Sequence, residues 1–477
     1  MDQALPQIDK VLSVCELFGI STDELLYDKK EIARLSKETP VKNKYFGTDG
    51  FRGEANVNLT SMQAYKVGRF LGWFFSSSLS GCKKAGYRPR IVIGKDTRRS
   101  SYMLEYSIAA GITASGADAY MLHVTTTPSV SYVTRQDEFD CGIMITASHN
   151  PYFDNGIKII NRYGEKFDDA ATALVEAYID SNLSALGVKE DDLPLATGDA
   201  VGKIVDYVAG RNRYVGYLIS VASNSYKNLK IGLDCANGAS WMIARAVFDA
   251  LGAQTTVIGV EPDGLNVNRD CGSTKMERLI SLVKEQHLDV GFAFDGDADR
   301  CLAVDEKGNI VDGDAIMYML AKRLKDREML SGNTVVATVM SNSGFVSSLK
   351  KAGIDCVQTK VGDRFVYEEM QQKGYSIGGE QSGHIILKKY ATTGDGILTA
   401  IMVAEEMCDR KSALSKLTED VMLYPQHTVN VRVKNKAEVM RDGEVLKVLE
   451  EVKKLIGDNG RALLRESGTE PVIRVMI

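Results

Sequence analysis

Three carboxylates stand at alternate positions in "FDGDADR": Asp295, Asp297 and Asp299. Hard oxygen ligands at that density repel one another unless a divalent cation sits among them, and three of them leave coordination positions open for water or a phosphate oxygen, which suits Mg2+. With Glu306 the same residues match the ligand spacing of an EF-hand loop. Two features count against that reading: Arg300 stands where the sharp turn needs glycine, and the preceding "VGFAF" is strand-like rather than helical.

Three further loops carry chemistry. "RESGTEP" sets Arg465, Ser467, Gly468 and Thr469 together, with Arg474 following, and a guanidinium, two hydroxyls and a glycine-freed backbone are the parts of a phosphate cradle. The chain contains neither GxxxxGK[ST] nor GxGxxG, so the phosphate belongs to a small substrate rather than to a nucleotide in a P-loop or dinucleotide fold. "GGEQSGH" places Glu380, Ser382 and His384 among glycines, an arrangement suited to adjacent sugar hydroxyls and equally compatible with an ordinary turn. In "GIMITASHNP" an apolar run ends at Ser148. His149 suggests a hydrolase pair, but sequence neighbours seldom present side chains to each other, and no GxSxG elbow occurs. The alternative is a phosphoserine whose phosphoryl oxygen completes the Mg2+ shell.

The segments around these loops repeat one pattern. "RIVIGKD", "YMLEYSIAAGITASG", "ADAYMLHV", "PSVSYVTRQ" and "CGIMIT" read as strand, helix, strand, helix, strand. A second copy starts at "LKIGLDCANGAS" and ends at "DVGFAFDGD", and a third runs from "NTVVATVMSNS" to "YSIGGEQSG". These copies predict three related α/β domains with mixed or parallel sheets built from βαβ units. In each, the third strand ends in one of the loops "TASHNP", "DGDADR" or "GEQSGH". Parallel sheets bind ligands beyond the carboxyl ends of their strands, so the three loops are expected to face one cleft. The expected division is a helical extension at 1–43, α/β domains at 44–200, 201–308 and 309–420, and a smaller α+β domain at 421–477.

At 477 residues the chain exceeds one core, which agrees with several domains. A net charge of -5 gives no reason to expect nucleic acid or an anionic membrane as partner. The eight cysteines are scattered singly, without zinc spacing, so reduced thiols in a cytoplasmic protein are expected. The N-terminus lacks the basic start and apolar run of a secretory signal.

Taken in order, "KYFGTDGFRG", "TASHNP", "DNGIK", "CGST", "AFDGDADR", "VDGD", "KVGDR", "GGEQSGH", "TTGDGI" and "RESGTEPVIRV" make residues 44–477 resemble the α-D-phosphohexomutase superfamily. That resemblance implies four domains around a central cleft. It implies that Ser148 is the phosphorylated serine and, with Asp295, Asp297 and Asp299, a Mg2+ ligand. Lys158 and His384 match positions for general acid/base groups or their helpers, and Arg52, His149 and Arg300 match groups that line the reacting phosphate. Glu380 and Ser382 match the sugar-hydroxyl contacts, while Arg465, Ser467, Gly468, Thr469 and Arg474 match the site for the non-reacting phosphate. Gln381 and "TTGDGI" are similar to the members that act on glucosamine phosphates.

The implied activity is therefore interconversion of glucosamine 6-phosphate and glucosamine 1-phosphate, on the route to UDP-N-acetylglucosamine. The implied path runs through a phosphoserine and a 1,6-bisphosphate, with hexose 1,6-bisphosphate as activator and a homodimer as one assembly. A phosphomannomutase or phosphoglucomutase with the same mechanism is the alternative, and a Mg2+-dependent sugar phosphatase a further one. Residues 1–43 and Glu466 depart from the usual family pattern.

Overall fold

The computed structural model describes residues 44–47, 49–77, 87–189, 191–457, 460–466 and 472–477, so the expected helical extension at 1–43 lies outside the described residues. Three sheets share one strand order. In the first, the order runs Asp154–Asn161, Cys141–Ile145, Arg90–Lys95, Asp118–Val124. The second repeats it as Cys301–Asp305, Val290–Phe294, Lys230–Asp234, Gln254–Ile258, and the third as Ile385–Leu387, Ile377–Gly379, Thr334–Thr338, Asp355–Thr359. Cys141–Ile145, Val290–Phe294 and Thr334–Thr338 are buried along their whole length, as strands covered on both faces must be, and each reads as a nearly continuous apolar run.

Of the mixed and parallel forms expected, the sheets take the mixed one. The strand after each chemical loop returns antiparallel, so the sheets are mixed rather than parallel. The reason is the length of the connections, residues 146–153, 295–300 and 380–384. A parallel return needs a crossover of about a dozen residues or more, whereas these loops are long enough only to reverse the chain. Each chemical loop is thus the tip of a hairpin anchored on both sides.

The first sheet gains Phe46–Gly47 and Gly50–Glu54 at one edge and Ile204–Asp206 at the other, the last lying beyond residue 200 where the sequence suggests a boundary. The second and third domains share one continuous core through the helix Gly396–Arg410, which Asp395 caps by accepting from the Leu398 N–H at 2.9 Å. Tyr214 of the second domain donates its hydroxyl to the other Asp395 oxygen at 2.8 Å, tying the cap to that core.

The C-terminal sheet is antiparallel, with Val472–Met476 between Thr428–Arg432 and Leu463–Glu466. It joins the third domain through Asn342, whose side chain donates to the Tyr424 carbonyl at 2.8 Å and accepts from its N–H at 2.9 Å. Among the described residues no helix is long and apolar enough to cross a membrane, and six cysteines there are free.

Candidate active site

Ser148 follows the buried strand Cys141–Ile145 and adopts φ 53°, the left-handed region, which costs a residue with a Cβ roughly 1–2 kcal/mol. Its surroundings hold it there. The Thr146 hydroxyl oxygen accepts from the Ser148 N–H at 2.9 Å. The Ser148 carbonyl accepts from Arg98 Nη2 at 2.9 Å and from Asn268 Nδ2 at 2.8 Å, and the same two groups reach the Asn150 carbonyl at 2.9 and 3.1 Å. Arg98 is fully buried, also donates to the Pro151 and Asp154 carbonyls, and is anchored by Asp96 Oδ2 at 2.7 Å. Asn268 belongs to the second domain, so the loop is clamped from two domains at once.

So held, Ser148 Oγ donates to Asp295 Oδ2 at 2.6 Å. It also lies 3.4 Å from His149 Nδ1, so these sequence neighbours do approach, contrary to the expectation, because the left-handed turn at Ser148 folds the two side chains together. The shorter contact to Asp295, not the imidazole, fixes the hydroxyl.

The side chains of Asp295, Asp297 and Asp299 each offer an oxygen within 4.8 Å of the others, and all three are buried. Asp297 Oδ2 accepts from Thr127 Oγ1 at 2.5 Å and from Lys158 Nζ at 2.7 Å, and Lys158 reaches Asp299 Oδ2 at 3.0 Å. The remaining oxygens, Asp297 Oδ1 and Asp299 Oδ1, are buried without a hydrogen-bond donor. Burial and the charges of Asp299 and Asp297 push Asp295 well above the ordinary carboxylate range, whereas Lys158, working against burial, holds Asp299 well below it. Buried carboxylate oxygens with no donor, crowded so that one resists ionisation, fit a hard divalent cation. Glu306 turns away to accept from the Ser415 N–H at 3.3 Å and from its hydroxyl, so the loop is not an EF-hand.

Cationic groups surround this centre. Lys158, on the return strand Asp154–Asn161, is kept protonated by Asp297 and Asp299 despite burial. Arg300 is likewise held charged against burial by Asp295 and Asp299, with Nε 3.9 Å from Asp299. Arg52 donates to Asn150 Oδ1 at 3.3 Å and lies 3.5 Å from Asp49. Burial, then Arg300 and Arg52, push His149 down to about 4, so its ring is neutral near pH 7. His384 is buried with Nδ1 3.7 Å from Asp299 and Nε2 3.6 Å from Asp363. Against burial, these carboxylates raise its pKa, while the Gly394 N–H donated to Nε2 at 3.0 Å places the proton of the neutral ring on Nδ1.

The structure brings the loop of the third domain to the same centre through His384. Glu380 Oε1 accepts from the Gly362 N–H at 3.1 Å, and Ser382 is exposed. Gln381 donates to Asp312 at 3.0 Å and to Gln426 at 3.3 Å, linking this loop to the segment that enters the C-terminal domain. Arg465 and Arg474 are direct cross-strand partners there. Burial and the neighbouring Arg474 lower Arg465, with Glu380 opposing, so two like charges sit together where an anion would relieve them. Glu466, one residue on, lies on the opposite face of its strand from Arg465. Ser467, Gly468 and Thr469 lie outside the described residues.

Sequence reasoning did not single out Arg98, Asn268 or Thr127. The available signal was "GKDTRR", where a strand runs without a break into a dense charged cluster, unusual for a strand that ends in solvent.

Comparison with known proteins places the chain. Sequence models for phosphoglucomutase/phosphomannomutase match domain by domain: alpha/beta/alpha domain I at residues 43–185, domain II at 212–308, domain III at 312–424 and the C-terminal domain at 429–477. The chain is 57% identical over 434 residues to a phosphoglucosamine mutase of Lachnospira eligens, covering 91% of this chain and 94% of that one. A phosphoglucomutase/phosphomannomutase family protein from Burkholderia thailandensis has a similar fold, with TM-score 0.73 at 22% identity, covering 91% of this chain and 92% of that one. N-acetylphosphoglucosamine mutase of Aspergillus fumigatus, solved with GlcNAc-6P and magnesium, has TM-score 0.62 at 17% identity over 94% of each chain. Four consecutive domain matches and this level of identity together establish that the chain belongs to the phosphoglucomutase/phosphomannomutase family.

Proposed function

We propose that the chain is a phosphoglucosamine mutase that interconverts glucosamine 6-phosphate and glucosamine 1-phosphate, with Ser148 as the phosphoryl carrier. The observation that carries this reading is the 2.6 Å contact between Ser148 Oγ and Asp295, which sets the buried loop serine against a buried three-carboxylate cluster from another domain. The name of the Lachnospira relative and Gln381 in the sugar loop support glucosamine as the sugar.

Asp295, Asp297, Asp299 and a phosphoryl oxygen on Ser148 would hold Mg2+, and the magnesium in the Aspergillus complex supports that choice. When bound, the ion would neutralise charge on the moving group. The chain's own residues do the rest. Lys158 and Arg300, both held charged, and neutral His149 donate toward the phosphoryl oxygens. Lys158 and His384 are the groups placed to handle the proton of the sugar hydroxyl. Arg465 and Arg474, with Ser467, Gly468 and Thr469, hold the phosphate that is not reacting, and Glu380 and Ser382 take sugar hydroxyls in either orientation. Splitting recognition this way lets a 1,6-bisphosphate turn over between two half-reactions, with hexose 1,6-bisphosphate as the priming activator.

Glucosamine, glucose and mannose phosphates assayed side by side with Mg2+ and a trace of glucose 1,6-bisphosphate test the reading. The highest kcat/KM is expected on glucosamine phosphate. Inorganic phosphate released in step with substrate loss would mean a phosphatase instead, and a higher kcat/KM on mannose or glucose phosphate would reassign the substrate.

A further inference from the structure

A second cavity, of about 500 Å3, opens between the first and second domains, and it shares no lining residue with the acidic triad. Its walls include Arg99, Arg211 and His123, the rings of Trp241 and Tyr102, and the carboxylate of Asp263. The feature that calls for explanation is Arg211. Its guanidinium is partly buried, no carboxylate among the described residues lies within ion-pair distance, and its hydrogen bond to the Val124 carbonyl is long at 3.4 Å. Several other withdrawn arginines are satisfied within the fold. Arg323 meets Glu406 and Asp409 at 2.6 Å, Arg98 meets Asp96 and four carbonyls, and Arg69 meets Ser115 at 2.8 Å and the Leu193 carbonyl at 2.5 Å. A withdrawn charge is costly unless something pairs with it, and Arg211, which has only the long bond to the Val124 carbonyl and the more distant charge of Asp206, lines the cavity without an ion pair.

The rest of the wall narrows what could fill it. Arg99 is exposed and lines the same cavity as Arg211, so its wall carries two guanidiniums to offer an anion. Tyr102 is 45% exposed but carries Lys95 Nζ over its ring at 4.3 Å, so the partly exposed Trp241 is the ring offered to a flat ligand. The volume is within the range of small-molecule sites, and a bare phosphate would leave most of it to water.

The location is also informative. Thr97 and Arg99 line the cavity, and Arg98 between them turns the other way to hold the Ser148 loop. Thr97 Oγ1 donates across the domain junction to the Asn237 carbonyl at 2.6 Å. From the opposite wall, His123 and Val124 lead within three residues to Thr127, which donates to Asp297.

We propose that this cavity is a second ligand site, for a phosphorylated compound carrying a planar ring, such as a nucleotide, with its phosphate on Arg99 and Arg211 and its ring on Trp241. The site does not depend on the mutase reading. Trp241 is one of only two tryptophans, so the full-length Trp73→Phe protein reports on it by fluorescence.

The experiment titrates this protein with adenosine 5′-monophosphate, uridine 5′-monophosphate and inorganic phosphate. A saturable change is expected with at least one nucleotide, at lower concentration than with phosphate, and Arg211→Ala should weaken it about tenfold while leaving the basal mutase rate unchanged. Arg99→Gln, at an exposed position, should weaken it in the same direction and serves if the Arg211 variant does not fold. No saturable change with either nucleotide, an equal response to phosphate, or affinity unaltered by the Arg variants overturns the proposal.

Discussion

Replacing Arg98 by Lys should disable transfer without removing the substrate site. Arg98 is fully buried, and its guanidinium donates to the carbonyls of Ser148, Asn150, Pro151 and Asp154 while Nε holds Asp96. Lysine keeps a cation near Asp96 but offers a single point of donors, so it can serve only part of that fan. Each charge-assisted hydrogen bond lost is worth about 1.5–3 kcal/mol, as large as the roughly 1–2 kcal/mol that the left-handed Ser148 costs. Once that cost is no longer offset, the serine relaxes and its Oγ leaves the 2.6 Å contact with Asp295. A displacement of about 1 Å at a reacting atom costs on the order of a hundredfold. Steady-state kinetics should therefore show kcat reduced about a hundredfold, with KM changed by less than about threefold because Arg465, Arg474 and Glu380 are untouched. Intact mass after incubation with glucose 1,6-bisphosphate should show slower loading of the phosphoryl group. A folded Arg98→Lys protein with wild-type kcat, or one that lost only substrate affinity, would refute this account of the loop.

Four other perturbations have defined outcomes. Asp314 is fully buried, accepts from the Asn342 N–H at 2.6 Å, and is pushed by burial up from 3.8 to about 7. Because the folded value is raised, its contribution is fully present below the unfolded value and is lost as pH rises through about 7, a span worth roughly 4 kcal/mol at most. Asp314→Asn should thus gain on wild type in urea midpoint at pH 8.5 and lose that advantage below pH 4; a difference independent of pH would contradict this. At Gly313 an added Cβ would lie 2.2 Å from the Glu380 carbonyl oxygen and 2.8 Å from the Gly383 nitrogen, both backbone atoms that cannot swing aside. Gly313→Ala should displace the sugar loop and raise KM for the sugar phosphate about tenfold, measured against an unchanged rate of Ser148 loading. Chelation should abolish turnover and Mg2+ restore it, and Asp297→Asn should raise the Mg2+ concentration needed for half-maximal rate about tenfold or more.

Much of the architecture was legible because it is written locally. The three-fold repeat of strand and helix patterns, and the chemical loops at the ends of the third strands, need only short windows of sequence, and the three sheets share one strand order as the copies suggest. Mixed and parallel sheets were both left open by the repeat pattern, although a signal for the antiparallel return strands was there. "DNGIKII" is strand-like, and it follows "TASHNP" too closely for a parallel crossover. The clamp on Ser148 was not legible for a different reason. Arg98 and Asn268 act on backbone carbonyls, which any sequence offers, so no spacing rule points from them to Ser148. The approach of His149 to Ser148 likewise depends on a positive φ that a serine does not announce. The second cavity is made by residues from 97 to 264 and has no sequence signature at all.

The central claim is that Ser148 carries the phosphoryl group. The most direct measurement incubates the dephosphorylated full-length protein with labelled glucose 1,6-bisphosphate, maps the label by peptide mass, and then adds unlabelled glucosamine 6-phosphate. The account predicts about one labelled group per chain, on the peptide containing Ser148, transferred to the sugar at a rate no slower than steady-state turnover. Label on another residue, or a Ser148→Ala protein that still turns over at the wild-type rate, would contradict it.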